Sequence, residues 1–400
     1  MTTPLRPDPE PRRRDFVIIS VDDHLIEPPD VFVDRLPKKY ADLAPKVVET
    51  DAGHQVWRYG GATYPCAGID VGVGSREQRT LDPVRYEQMR PGCYDINARI
   101  RDMDRAGIWA ALCFPSVLAG QAGTVFSKTR DQDLGIALVR AWNDWHIEVW
   151  AGTYPERIIG LQLPWLGDPE IAAKEIRANA ARGFKAVVFP EFPTRLRLPS
   201  IHSGHWDPLF DACEETGTVV CLHTGAASWA PVPSPDTPIE AITTLMPASA
   251  MYACADWLWS GIPLRFPRLR ILIVEGGVGW LPMLAERADY ALDHPMDGET
   301  SWEGGLKPSE VLRRNFFFGT LNDTSLSGVR LAVGLDHVLM ESGYPHADST
   351  WPDTQRVVAR NLGTLPPADI ARVTYGNAAR LLGHPLPSRA WLRMEEITAS

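Results

Sequence analysis

The chain reads as one α/β domain, a (β/α)8 TIM barrel with an inserted segment after its first strand. Three observations lead there. Eight short apolar runs recur along the 400 residues, each followed by a loop and a longer polar or amphipathic stretch. The runs are nearly continuous rather than alternating, as in strands buried on both faces. Four of them end in carboxylate or imidazole side chains that a core would not hold unpaired. Eight strand–helix alternations imply a parallel sheet, and its natural closure is a barrel.

Taken in order, the apolar runs place strands at residues 16–21, 110–114, 157–163, 184–189, 218–223, 269–275, 316–319 and 337–341. Helical stretches fall between and after them, at 96–106, 131–150, 169–181, 208–215, 281–292, 353–361, 368–374 and 376–382. In the first, Ile96, Ile100, Met103 and Ala106 share one face. Residues 28–95 have no single helical period, and 55–65 and 67–73 resemble short β segments around Gly60-Gly61. This stretch is expected to be a lid or small subdomain over the barrel mouth, because long ordered loops in such folds usually serve function. A second Pro-rich loop covers 228–237. The expected organisation is a flexible tail at 1–15, the barrel at 16–385 and a C-terminal tail at 386–400.

Composition narrows the function. A formal charge of −10 argues against non-specific nucleic-acid binding. The six cysteines form no CxxC pair, so they read as small core residues in a reducing cytoplasm rather than as disulfides or a thiolate zinc site. No apolar stretch approaches the ~18 residues of a membrane span. The expected partner is therefore a small-molecule substrate, with no nucleic acid and no membrane. The Trp-rich helices leave room for a homo-oligomer.

In such a barrel the reactive groups project from the C-terminal ends of strands. The first run ends in Asp22-Asp23-His24 with Glu27 close behind, the fifth in His223 and the sixth in Glu275; the eighth leads into Glu341, Tyr344, His346 and Asp348. Convergent imidazoles and carboxylates suit a divalent metal such as zinc. They equally suit a metal-free acid–base site. Asp22 or Asp23 taken alone could simply cap a turn. Trp165, Trp229 and Trp280 follow strand ends and are candidates to wall a substrate. For Trp280, anchoring its helix is an equal reading. Trp142 and Trp145 suit the core, and Arg58, Arg76, Arg79, Arg85 and Arg90 are candidates to meet a substrate carboxylate.

At this point the residues resemble a known group. Val21-Asp22-Asp23-His24-Leu25-Ile26-Glu27-Pro28-Pro29 is similar to the opening motif of the amidohydrolase-related family, which includes aminocarboxymuconate semialdehyde and resorcylate decarboxylases. Its His-x-x-Glu-Pro form resembles a branch in which the usual His-x-His has lost its second His. The resemblance runs in order through Asp102-Met103-Asp104, Trp142-Asn143-Asp144-Trp145, Leu222-His223-Thr224-Gly225, Glu275-Gly276-Gly277 and Tyr344-Pro345-His346 to Gly376-Asn377-Ala378. It implies a mononuclear metal site, zinc first and manganese or iron as alternatives. His24 and His223 would be ligands, with Glu27 replacing the second His. Glu275 would lie beside the bound water or substrate, and His223, Glu275 and His346 would carry the chemistry. The family's Asp-Tyr-Pro-His is here Gly343-Tyr344-Pro345-His346. That leaves open a ligand-trapping change, a turn to metal-free chemistry through Glu275, His223 or Glu341, or a substitute carboxylate such as Glu341. Metal binding is accordingly expected to be weak or absent. The leading expectation is hydrolysis of an amide, lactone or related carbonyl group. The alternatives are a non-oxidative decarboxylase or other carbon–carbon lyase, and a catalytically inactive barrel that binds a small molecule.

Overall fold

The computed structural model describes residues 5–10, 14–74, 80–120, 122–296, 302–303 and 305–387. Arg76, Arg79 and most of the two expected tails lie outside them. All eight expected strands are present, at Ile18–Leu25, Ile108–Pro115, a third split by Gly160 into Ile158–Ile159 and Leu161–Gln162, Ala186–Phe189, Val219–His223, Ile271–Val274, Phe316–Thr320 and Val338–Met340. Neighbours pair in parallel, in sequence order. The third strand spans the two halves of the sheet. Its first half pairs with the second strand through Ala111 and Leu112, and its second half with the fourth through Ala186 and Val187.

The first and eighth strands meet through the residues that follow the eighth. Gly343 N–H donates to Asp22 O at 2.9 Å, His24 N–H to Tyr344 O at 2.5 Å, and Ser342 N–H to Ser20 Oγ at 2.9 Å. The architecture is an α/β fold consistent with a TIM barrel. Every residue of the first strand is buried, Asp22, Asp23 and His24 included. That strand is therefore apolar through Ile18, Ile19 and Val21, with Ser20 between them, and its charged and imidazole side chains gather towards its end.

Most helices lie where the pattern placed them. Ile96–Ala106 starts where Asp95 accepts from the Ala98 amide at 2.7 Å and stops at Gly107, whose φ of +72° reverses the chain. The stretch expected as one helix from 131 is Gln132–Trp145 followed by a wider turn at His146–Trp150. Trp142 and Trp145 are buried within it, as expected. Among the described residues four α-helices were not foreseen: Ile239–Trp259, Ile262–Arg265, Pro308–Asn315 and Leu326–Ala332. The 21-residue helix Ile239–Trp259 escapes a periodicity reading because apolar residues occur all round it and Pro247 interrupts it.

In the inserted segment three antiparallel strands form a small sheet, Lys46–Glu49, Gln55–Tyr59 and Ala62–Pro65. The β reading of 67–73 is corrected to a 3-10 turn at Gly68–Val71, closed by Asp70, whose carboxylate accepts from the Ala67 amide at 2.9 Å. The N-terminal segment expected as a free tail is docked where it is described. Asp8 bridges Arg90 at 2.6 Å and Arg105 at 2.5 Å, and the amides of Asp15 and Phe16 both donate to Gln355 Oε1 at 2.9 Å.

Candidate metal centre and active site

Side chains two apart on a strand face the same way. Asp22 and His24 therefore both point into the barrel, where they meet His223 from the end of the fifth strand. Asp22 Oδ1 lies 3.5 Å from His24 Nε2 and 3.5 Å from His223 Nε2, and the two nitrogens are 3.0 Å apart. Asp23, facing the other way, is held by the Ser20 and Ser342 hydroxyls at 2.7 and 2.5 Å, with Arg99 at 3.6 Å. Burial still raises its pKa, to about 6.

The state of this cluster follows from its partners. His223 Nδ1 lies 2.9 Å from Thr224 O, which only accepts, so Nδ1 carries a hydrogen and Nε2 is left to bind a proton or a cation. Asp22 Oδ1 is buried and accepts no hydrogen bond, and His24 Nδ1 is likewise without a partner. Burial raises the Asp22 pKa. Burial, then the neighbouring His346 and His223 charges, holds the His24 pKa well below its ordinary value. For His223 burial favours the neutral ring, but Glu275 and Asp22 carry its pKa up to about 9. A carboxylate and two imidazole nitrogens at these spacings, with an unsatisfied buried oxygen among them, fit a divalent cation.

Glu275 and His346 stand on the other side of His24. Glu275 Oε2 is 3.4 Å from His223 Nε2, and its Oε1 is 3.5 Å from His346 Nδ1. The His346 ring stacks on His24 with centroids 3.8 Å apart. Glu275 has φ +58°, a left-handed conformation that is unusual for a residue with a side chain. It is held there by Glu341, whose buried carboxyl accepts from the Glu275 amide at 3.0 Å. Glu341 in turn occupies the space left by Gly319, where a Cβ would sit 1.5 Å from Glu341 Oε1. Burial, reinforced by the Asp22 charge, pushes the Glu341 pKa well above the ordinary carboxylate value.

The carboxyl groups of the cluster reach a cavity of about 310 Å³ lined by Asp22, Glu275, Glu341 and Gly343 together with Met246, Pro247 and Leu321, and the three imidazoles stand behind that lining. Neither Lys nor Arg is among its described lining residues.

His24, His223, Glu275 and His346 are thus brought together as expected. Glu27 is not. Its carboxylate accepts from the Val117 and Ala119 amides, both at 3.1 Å, and so fixes the loop after the second strand. The first-strand residue that stands beside His24 and His223 instead is Asp22. The spacing Asp22-x-His24 was the signal that could have found it, since Glu27 lies beyond the strand's end at Leu25.

The tryptophan wall is also corrected. Trp165 is buried against Gly135 and Gly167, Trp280 donates to Gly276 O at 2.9 Å and packs on Phe318, and Trp229 packs with Phe192 and Tyr252. None of the three lines the cavity; helix Ile239–Trp259 does so with Thr243, Met246 and Pro247. Arg90 is committed to Asp102 and Asp8, and Arg85 to Glu49 and Glu87. Neither reaches the cavity.

A family model described as amidohydrolase matches residues 50–384. The curated 2-amino-3-carboxymuconate-6-semialdehyde decarboxylase of Dictyostelium discoideum is 22% identical over 268 residues, 66% of this chain and 66% of that protein. The chain therefore spans just under two thirds of that relative's length. Among solved structures, an amidohydrolase from Mycobacterium avium subsp. paratuberculosis K-10 is 24% identical with a TM-score of 0.70, covering 92% of this chain and 100% of that one. A dihydroxybenzoic acid decarboxylase from Polaromonas sp. JS666, with bound manganese and the inhibitor 2-nitroresorcinol, is 18% identical with a TM-score of 0.61, covering 92% and 96%. At these identities the structural likeness establishes the fold alone.

Proposed function

Since the chain belongs to the amidohydrolase family, we propose that it is a divalent-metal-dependent carbon–carbon lyase that removes carbon dioxide from a small organic acid without an external oxidant. The observation that carries this reading is the convergence of Asp22, His24 and His223 on one point, with Asp22 lining the cavity and its Oδ1 left unsatisfied. The named relatives support decarboxylation over the hydrolysis favoured by the sequence.

Asp22, His24 and His223 would hold the cation. When bound it supplies Lewis acidity towards a carboxylate or hydroxyl oxygen of the substrate. The chain's own residues do the rest. Met246, Pro247 and Leu321 cover the apolar body of the substrate and exclude water. Breaking the bond to the departing carboxylate leaves an electron pair on carbon, which must take up a proton. We assign that delivery to His346, whose ring stacks on His24. Burial disfavours its charged form, but the Glu275 carboxylate facing Nδ1 outweighs burial and raises the pKa. The described residues of segment 28–95 contribute position rather than lining. Its Val73 amide donates to Pro345 O at 3.2 Å and its Ile69 carbonyl accepts from the Ala347 amide at 2.8 Å, which fixes both sides of His346.

A second reading, hydrolysis of a neutral amide or lactone, draws on the lack of a cationic side chain among the described lining residues. Incubating manganese- or zinc-loaded protein with carboxyl-¹³C-labelled aromatic acids, and separately with amides and lactones in ¹⁸O-water, decides between them. Labelled carbon dioxide supports the lyase. Uptake of ¹⁸O into product supports the hydrolase, and turnover of neither class that survives His223→Ala removes both.

A further inference from the structure

The cavity wall carries charge of one sign. Asp22, Glu275, Glu341, Asp323 and Asp348 all line it, and no Lys, Arg or His is among its described lining residues. These carboxyl groups divide by depth. Asp22 and Glu341 are buried, and Asp22 keeps Oδ1 without a hydrogen bond. Glu275 faces His223 and His346. Asp323 is half-buried and Asp348 exposed, on the loops that follow the seventh and eighth strands, so these two form the rim.

The deep group has imidazoles beside it, whereas Asp323 has no cation of its own. Its Oδ2 accepts from the Thr320 hydroxyl at 2.7 Å, and no described Lys, Arg or His pairs with it. Arg360 reaches this loop at Asn322 Oδ1, 2.5 Å away, and does not line the cavity. Asp323 Oδ1 faces Gly277, from the loop after the sixth strand, where a Cβ would sit 2.9 Å away. Gly277 has φ +59°, so conformation and space both keep a side chain from covering that oxygen. A carboxylate at the mouth of a cavity without a protein cation concentrates positive ligands there and repels negative ones.

Resting on the lyase reading above, we infer that the substrate is an acid that also carries a protonated amine, and that Asp323 receives the ammonium. The substrate's carboxylate lies at the opposite end, by the cation held by Asp22, His24 and His223. Met246, Pro247 and Leu321 cover the apolar part between the two charges. An acid with anionic groups at both ends is turned away, because its second carboxylate meets only like charge at the rim.

The test varies ligand charge at constant shape. The probes are 3- and 4-(aminomethyl)benzoate, the matching hydroxymethylbenzoates, and benzene-1,3- and -1,4-dicarboxylate. Each is titrated by calorimetry into full-length manganese-treated protein, in buffer free of primary amines and carboxylates. At least one aminomethyl compound should bind roughly tenfold to a hundredfold tighter than its hydroxymethyl partner, and the dicarboxylates weakest of all. Asp323→Asn, which can still accept from Thr320, should erase that margin, while Asp348→Asn should leave most of it; circular dichroism checks both folds. Equal affinity of the aminomethyl and hydroxymethyl compounds overturns the inference, and so do tighter dicarboxylates or a margin that survives Asp323→Asn. If labelled carbon dioxide is then still released from an acid that has no amine, the lyase reading stands without it. Benzylamine and benzyl alcohol, which have no carboxylate, separate the opposite case. A preference for benzylamine that Asp323→Asn removes, in protein that binds none of the benzoates, keeps the ammonium site and fails the lyase reading.

Discussion

Replacing Gly319 with alanine isolates the arrangement that aims Glu275. The three atoms nearest the new Cβ would all belong to Glu341: Oε1 at 1.5 Å, Cδ at 2.2 Å and Cγ at 2.8 Å. The carboxyl must leave, because the glycine is on a strand whose backbone is paired on both sides. Its departure strands the Glu275 amide, a part-buried donor left unsatisfied at a cost of about 1–3 kcal/mol. Forcing a methyl into a filled core adds about 1–3 kcal/mol. Together the loss is about 2–6 kcal/mol. With an unfolding entropy of about 2.1 cal/mol/K per residue over 400 residues, 1 kcal/mol shifts Tm by about 1.2 °C, so the expected drop is about 2–7 °C.

The assay is urea unfolding of Gly319→Ala, Glu341→Ala and the double variant. In the Glu341→Ala background the clashing atoms are gone, and Gly319→Ala should cost below about 1 kcal/mol, giving a coupling of at least about 1–3 kcal/mol. Equal costs of Gly319→Ala in the two backgrounds would refute the packing argument, and with it the account of how Glu275 is held.

The remaining predictions concern separate parts of the molecule. Asp22→Asn removes a buried carboxylate with an unsatisfied oxygen; metal content by elemental analysis should fall to background while the metal-free protein unfolds at no lower urea concentration than the parent. Glu27→Ala should do the reverse, losing about 2–4 kcal/mol as the Val117 and Ala119 amides go unpaired while bound metal stays stoichiometric; loss of metal in a folded Glu27→Ala protein would restore Glu27 as a ligand. Glu191 titrates differently in the two states. Its carboxylate is buried where it caps the Gly225 and Ala227 amides, and burial pushes its pKa up to about 7 from an ordinary 4.5. The folded state thus holds the proton more tightly. This contribution to stability is full below about pH 4.5 and lost as the pH rises to about 7, about 3 kcal/mol in total. Comparing urea unfolding at pH 5 and 8, Glu191→Gln should depend less on pH than the parent by that order, and parallel curves would show the assignment wrong.

The barrel strands were legible in the sequence because burial on both faces leaves a simple mark: Ile18-Ile19, Val219-Val220-Cys221-Leu222 and Ile271-Leu272-Ile273-Val274 are continuous apolar runs, and all are buried. The reactive ends were legible for the related reason that a polar side chain at the end of such a run needs a cause. That singled out His24, His223 and Glu275 from chain order alone.

Tertiary structure decided what the runs could not. Asp22 and Glu27 are both acids near His24, and only the third dimension shows Asp22 Oδ1 facing two imidazoles while Glu27 is spent on two amides. The helix that lines the cavity went unseen because an apolar helix with a proline has no periodic face to read. Glu341 and Gly319 lie 22 positions apart in the chain, and Glu275 a further 44 before Gly319. Spacing in sequence says nothing of their contact, because adjacent parallel strands place side by side residues whose separation is set by the intervening helices and loops. The chemistry available to the chain is therefore written in its residues, and which of them share one point is settled only where the strands close on one another.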